Sequence, residues 1–306
     1  INKGVMWDTI LDILKEKVSE GVEVKLIYDD FGSSTLPYRY QHHLRKIGID
    51  AVPFNPMRLH LNFAMNYRDH RKIVVIDGRI GYTGGINIGD EYINLIQPFG
   101  HWLDTGIRLE GDAVFGLTIN FLENYRFQTN RKINYLDYKS HEKAPLDGYV
   151  SPFNDAPLDK ELVSKNMYLS LINEATSSIK ITTPYLIIDN ELSEALKLAA
   201  KSGIDVQIII PFVPDKKIIF MVTESYVPEL MQAGVKVYRY TPGFVHSKMM
   251  IIDDREALIG TCNLDFRSLY LHFENMVYLY QSDAIKDMNH FFDKTVKQSA
   301  IVTTIR

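Results

Sequence analysis

Apolar residues recur every three or four positions from Leu11 to Val18, and a denser β-branched run follows from Val24 to Tyr28, with Gly21 between them. That order predicts an amphipathic helix, a glycine stop and a buried strand. The same order returns at 194–212, EALKLAAKSGIDVQIIIPF, where Gly203 marks the break. Ahead of this second copy, residues 159–176 have helical spacing and IKITTPYLI (179–187) reads as a strand. The first copy has no such lead-in. The pattern therefore carries the expectation that the native protein extends N-terminally by at least one further helix and strand.

The repeat sharpens downstream. HRKIVVIDGRIGYTGGIN, from His70, aligns without a gap on HSKMMIIDDREALIGTCN, from His246. His70, Lys72, Asp77, Gly84 and Asn87 fall over His246, Lys248, Asp253, Gly260 and Asn263. Each histidine is followed by two short strand-like runs, KIVVID and RIGYTG in the first copy. Residues 134–158 mix Pro, Gly, Asp and Asn with little periodicity and read as a linker between halves 1–133 and 159–306. Helices and strands in duplicate predict an α/β protein of two similar lobes related by pseudo-twofold symmetry, with both motifs at the seam.

Composition narrows the function. The 306 residues are 46% hydrophobic and 24% charged, ordinary globular values. A net charge of −4 lacks the basic excess of a nucleic-acid binder. The single cysteine, Cys262, excludes an intrachain disulfide and makes an intracellular site the default. No run of about 18 apolar residues is long enough to span a bilayer.

The candidate catalytic set is the motif itself: His70, Lys72, Asp77, His246, Lys248 and Asp253. On a strand of period two, His70 and Lys72 share a face, as do His246 and Lys248. Two such pairs suit phosphodiester chemistry. One neutral imidazole attacks phosphorus, and the other, protonated, donates to the leaving alcohol. The two lysines, with Asn87 and Asn263, can hold the non-bridging oxygens, where charge accumulates. Glu274 and Asp104, each shortly after a motif, are the candidate carboxylates for orienting the histidines. Asp77 and Asp253 end the motif runs and are expected to tie down the turn. Gly84, Gly85 and Gly260 are expected to let the returning strand approach closely, and Cys262 to pack. No metal-ligand set is evident: His42 and His43 read as surface residues and His60 as a core or groove residue. Residues 213–234 predict an amphipathic helix with Ile218, Ile219, Phe220, Met221 and Val222 near one end, beside Lys216 and Lys217. Such a helix either faces the core or meets an anionic membrane interface.

The duplicated His-x-Lys-x4-Asp motif is the signature of the phospholipase D superfamily. The stretches 66–92, 102–114, 181–196, 225–254 and 259–274 resemble bacterial cardiolipin synthases more narrowly, and the resemblance covers essentially the whole chain. It implies a two-lobed fold with one site, no cofactor, and transfer of a phosphatidyl group between two phosphatidylglycerol molecules. His70 would be the nucleophile and His246 the general acid/base. It also implies work at the cytoplasmic side of the cell membrane, although members of that family begin with membrane-spanning segments that this sequence does not contain. Hydrolysis to phosphatidic acid and metal-independent nucleic-acid cleavage are the competing chemistries.

Overall fold

A computed structural model describes residues 1–56 and 66–303. The first half contains α1 (Val5–Ser19), β1 (Val24–Asp29), α2 (Tyr40–Lys46), β2 (Ile49–Phe54), β3 (Arg68–Asp69), β4 (Ile73–Ile76), β5 (Ile80–Gly84), β6 (His101–Leu103), β7 (Gly106–Glu110) and α3 (Ala113–Thr129). Strand β8 (Tyr149–Asp155) follows. The second half contains α4 (Val163–Glu174), β9 (Ser178–Thr182), β10 (Leu186–Ile187), α5 (Asn190–Lys201), β11 (Asp205–Pro211), α6 (Lys217–Gln232), β12 (Lys236–Tyr240) and β13 (Gly243–Val245). It continues with β14 (Met249–Ile252), β15 (Glu256–Gly260), β16 (Leu264–Asp265), α7 (Phe266–Tyr270), β17 (His272–Tyr280), α8 (Ala284–Lys297) and β18 (Ser299–Ile301).

The predicted helix–glycine–strand units are α1–β1 and α5–β11. Gly21 and Gly203 close their helices with φ of 90° and 92°, a left-handed turn that costs glycine nothing. The run 179–187 does not stay one strand. It divides into β9 and β10 around Thr183, Pro184 and Tyr185, because proline cannot donate to a ladder. The expected linker 134–158 is also partly regular, since β8 lies antiparallel to β17 in register Glu274↔Asp155 through Tyr280↔Tyr149.

The large sheet runs β18-β12-β11-β9-β14-β15-β17-β3 among the described residues. β9 pairs with both β11 and β14, so it joins the two parts of the second half into one sheet. In the first half β1-β2 and β4-β5-β7 are separate sheets, and no strand among the described residues stands between β1 and β4. The outer face there is bare: Val74 is 55% exposed and Ile76 46%, whereas their counterparts Met250 and Ile252 are fully buried.

Three apolar clusters hold the described residues together. One packs α4, α5 and α6 on the large sheet, and one packs α1 and α2 on β1 and β2. The third is shared between halves: Leu109, Val114 and Leu117 from the first meet Val245, Ile259, Val277 and Phe292 from the second.

Candidate active site

Each His-x-Lys triplet occupies a junction between two strands rather than the middle of one. His70 and Lys72 lie between β3 and β4, and His246 and Lys248 between β13 and β14. Both junctions are anchored on the opposite half. β3 pairs in parallel with the start of β17, and the His70 amide donates to the Phe273 carbonyl at 2.9 Å. β13 pairs in parallel with β6, and the His246 amide donates to the Leu103 carbonyl at 2.7 Å.

The orienting acids are therefore crossed between halves. His70 Nδ1 lies 2.9 Å and 3.0 Å from the two oxygens of Glu274, and His246 Nδ1 lies 2.6 Å from Asp104 Oδ2. A carboxylate at Nδ1 fixes the proton there and leaves the Nε2 lone pair free to react. Glu274 also accepts from Thr261 Oγ1 at 2.5 Å, and Asp104 from the Thr105 amide at 2.8 Å. Thr261 and Gly85 occupy equivalent positions in the repeat. A Cβ on Gly85 would stand 2.1 Å from Asp104 Oδ1, so the shorter acid takes the room that the threonine hydroxyl fills in the other half. Gly84 and Gly260 permit the expected close approach: a Cβ would meet the Thr105 carbonyl oxygen at 2.4 Å and that of Asn275 at 2.3 Å.

Lys72 Nζ donates to the carbonyl of His70 at 2.6 Å, and Lys248 Nζ donates to the carbonyl of His246. The six titratable groups form one electrostatic unit. Lys72 acts on His246 as well as on His70, and Asp104 acts on both lysines. Burial pushes both histidines down to about 4, against the pull of Glu274 on His70 and of Asp104 on His246. Burial likewise lowers Lys72, and brings Lys248 to about 7. Burial opposes ionisation of the two acids, yet the charges of the histidines beside them hold Glu274 and Asp104 below the usual carboxylate range. The site at neutral pH is two neutral imidazoles, each on a carboxylate, with Lys72 near enough to act on both.

The other candidates separate from this centre or join it indirectly. Asn263 is buried; its Nδ2 donates to Asp265 at 3.0 Å and its Oδ1 has no hydrogen-bond partner among the described residues. Asn87 bonds the hydroxyl of Tyr92, whose ring lies 6.4 Å from His246. Asp77 and Asp253 do not join the catalytic groups. They stand at the far ends of β4 and β14, about 17 Å along an extended chain from their lysines. Asp253 accepts from the amides of Thr176, Ser177 and Ser178 at 2.8 Å each, fixing the turn before β9. Asp77 is exposed and has no hydrogen-bond partner among the described residues. His42 and His43 are exposed, Cys262 is fully buried in the core, and His60 falls outside the described residues.

Two rings escaped the sequence reading. Trp102 packs 4.8 Å from His246, and His272 packs 5.4 Å from His70. Each stands two residues before the acid that serves the same histidine, in HWLD and LHFE. Aligning the segments after the motifs would have paired them. His272 also changes the metal picture, because His70, His272 and Glu274 place three ligand atoms within 4.8 Å of one another.

Two lobes joined by crossed strands, each with one His–Lys pair, define a phospholipase D-like fold. The solved structure of phosphatidylserine synthase from Haemophilus influenzae shares this fold, with a TM-score of 0.73 over 98% of this chain and 80% of that one at 17% identity. The family model described as "Cardiolipin synthase, PLD-like domain" matches residues 6–97 and 168–296, and the chain belongs to that family. A cardiolipin synthase of Geobacillus sp. (strain WCH70) is 43% identical over 94% of this chain. An uncharacterized protein of Streptococcus mutans is 47% identical over 99%. The chain spans 58% and 66% of the lengths of those two relatives.

Proposed function

We propose that this chain carries the catalytic part of a cardiolipin synthase, moving a phosphatidyl group from one phosphatidylglycerol to another and releasing glycerol. The observation that carries the reading is the crossed pair of imidazole–carboxylate units, which gives two histidines of identical tautomer at one site. His70, whose side chain is 22% exposed against 8% for His246, is the nucleophile: its Nε2 attacks phosphorus and the glycerol oxygen leaves. His246 donates the proton to that oxygen and then takes one from the hydroxyl of the second phosphatidylglycerol, which displaces His70. The anionic phosphodiester supplies the charge that raises His246 enough to hold this proton and keeps Lys248 an ammonium. Lys72 and Lys248 stabilise the non-bridging oxygens.

The site works at an anionic membrane surface. No helix among the described residues is long and apolar enough to cross a membrane. The first turns of α6 offer the contact instead, with Ile218 and Met221 exposed beside Lys216 and Lys217. We place the reaction on the cytoplasmic side, where an unpaired cysteine such as Cys262 is stable.

The test is incubation of the chain with phosphatidylglycerol vesicles and mass spectrometry of the lipids, alongside His70→Ala and His246→Ala. Cardiolipin and free glycerol, both lost in each variant, are expected. Phosphatidic acid alone would make the chain a hydrolase on the same site. Cleavage of nucleic acid without lipid turnover would overturn the reading.

A further inference from the structure

We propose that His70, His272 and Glu274 form a binding site for a borderline divalent ion, zinc above all, and that an ion held there silences the His70 half of the active site.

His272 makes no hydrogen bond that explains an imidazole there. Both of its ring nitrogens are buried without a hydrogen-bond partner among the described residues, and Nδ1 stands 3.6 Å from Glu274 Oε1, beyond hydrogen-bond length. Packing against the catalytic ring does not require an imidazole. In the other half Trp102 performs that service and points its indole N–H toward Asp104 Oδ2 at 3.5 Å. What the imidazole adds over the indole is a second ring nitrogen able to ligate a cation, beside a carboxylate that already holds another imidazole.

One nitrogen from each histidine and one oxygen of Glu274 lie within 4.8 Å of one another. Around a tetrahedral zinc with bonds of about 2.0–2.2 Å, neighbouring donors stand about 3.4 Å apart, so side-chain tips need move only about 1 Å to close the set. Two imidazoles and a carboxylate are a zinc-type donor group, whereas magnesium and calcium need six or more oxygens. The fourth coordination position remains for water or a phosphate oxygen. The half-site of His246 offers no equivalent, because indole is not a ligand.

The functional consequence rests on the transferase reading above; binding itself does not. An ion on His70 Nδ1 displaces the proton that Glu274 holds there, and the neutral ring retains its one proton on Nε2. That nitrogen then has no lone pair for phosphorus. No electron transfer is involved, and chelation restores the original tautomer.

The test uses the chain freed of metals by a chelator and titrated with zinc chloride by calorimetry, with cobalt(II) absorption as a second probe. Wild type is expected to bind one ion per chain and to give the intense visible bands of four-coordinate cobalt. His272→Trp and His272→Asn should each weaken binding at least tenfold. Phosphatidyl transfer by wild type should fall at least tenfold with saturating zinc and return with chelator, while each variant, measured against its own metal-free rate, resists. Equal affinity in the variants, or no binding by wild type, overturns the proposal. Should neither variant fold, the imidazole nitrogen resonances of wild type decide, since an unmoved His272 on zinc addition is equally fatal. If no lipid turns over at all, the transferase reading fails and calorimetry still judges the metal site.

Discussion

The two half-sites are built from the same four kinds of contact and differ at single positions. Glutamate replaces aspartate, threonine replaces glycine, and histidine replaces tryptophan. Their shared feature is deep burial, which sets the protonation states. Burial holds the two histidines at about 4 and Lys248 at about 7. The sign of the pH dependence follows. A nucleophilic imidazole must be free, and the bound phosphodiester keeps His246 protonated, so on the acid side kcat rises with pH. Lys248 must be an ammonium to hold the phosphate, so kcat/KM falls as pH climbs through about 7. Lys248→Arg keeps the charge at all these pH values and should remove the falling limb near neutrality, at the cost of about 10²–10³ in rate from misplaced donors. A pH–rate profile on a short-chain phosphodiester checks this. If the falling limb survives unshifted in the arginine variant, Lys248 is not its source.

At the level of elements, the local units were legible in the sequence and the long-range pairings were not. Helix, glycine stop and strand are encoded within twenty residues, so α1–β1 and α5–β11 stand where the periodicity puts them. The His-x-Lys triplets read as the end of a single strand because period two is a local signal. They are junctions because β3 and β13 pair with strands of the opposite half, across about two hundred residues of sequence for His70 and Glu274. No window of sequence contains both partners, so the two acids were visible as candidates while their crossing was not. Asp77 and Asp253 share a motif column but not a fate, since only Asp253 has a turn to bind. Helix α6 resolves an ambiguity of the same kind. Its later turns bury Thr223, Val227 and Leu230, and its first turns leave Ile218 77% and Met221 70% exposed. Ile218, Met221 and Val222 share one face at spacings of three and four. Ile218→Asp with Met221→Asp should reduce binding to phosphatidylglycerol vesicles at least tenfold, with the melting temperature unchanged and short-chain substrate still turned over. Undiminished vesicle binding by the folded double variant would remove α6 from the membrane contact.

For the whole molecule, crossing has a thermodynamic consequence. A chain of 306 residues in two similar halves would ordinarily be expected to unfold in steps. Here each half supplies the other with a strand pairing at its histidine, an acid for that histidine, and part of a common core in which Leu109, Val114 and Leu117 meet Val245, Ile259 and Phe292. Unfolding either half alone would strip three apolar side chains or more from that core, each worth about 1.5–3 kcal/mol. It would also leave a buried histidine or carboxylate without its partner. Those penalties fall on whichever half remains, so a half-folded state has little to recommend it over the unfolded chain. Scanning calorimetry should therefore show one transition, with calorimetric and van't Hoff enthalpies in a ratio near one. Leu117→Ala, placed in the first half, should lower the temperature at which second-half amides in β14 and β15 lose their hydrogen-exchange protection by the same amount as those in β5 and β7. Two resolved transitions, or a second half whose protection ignores the Leu117 change, would show the lobes to be independent and the crossing to matter for catalysis alone.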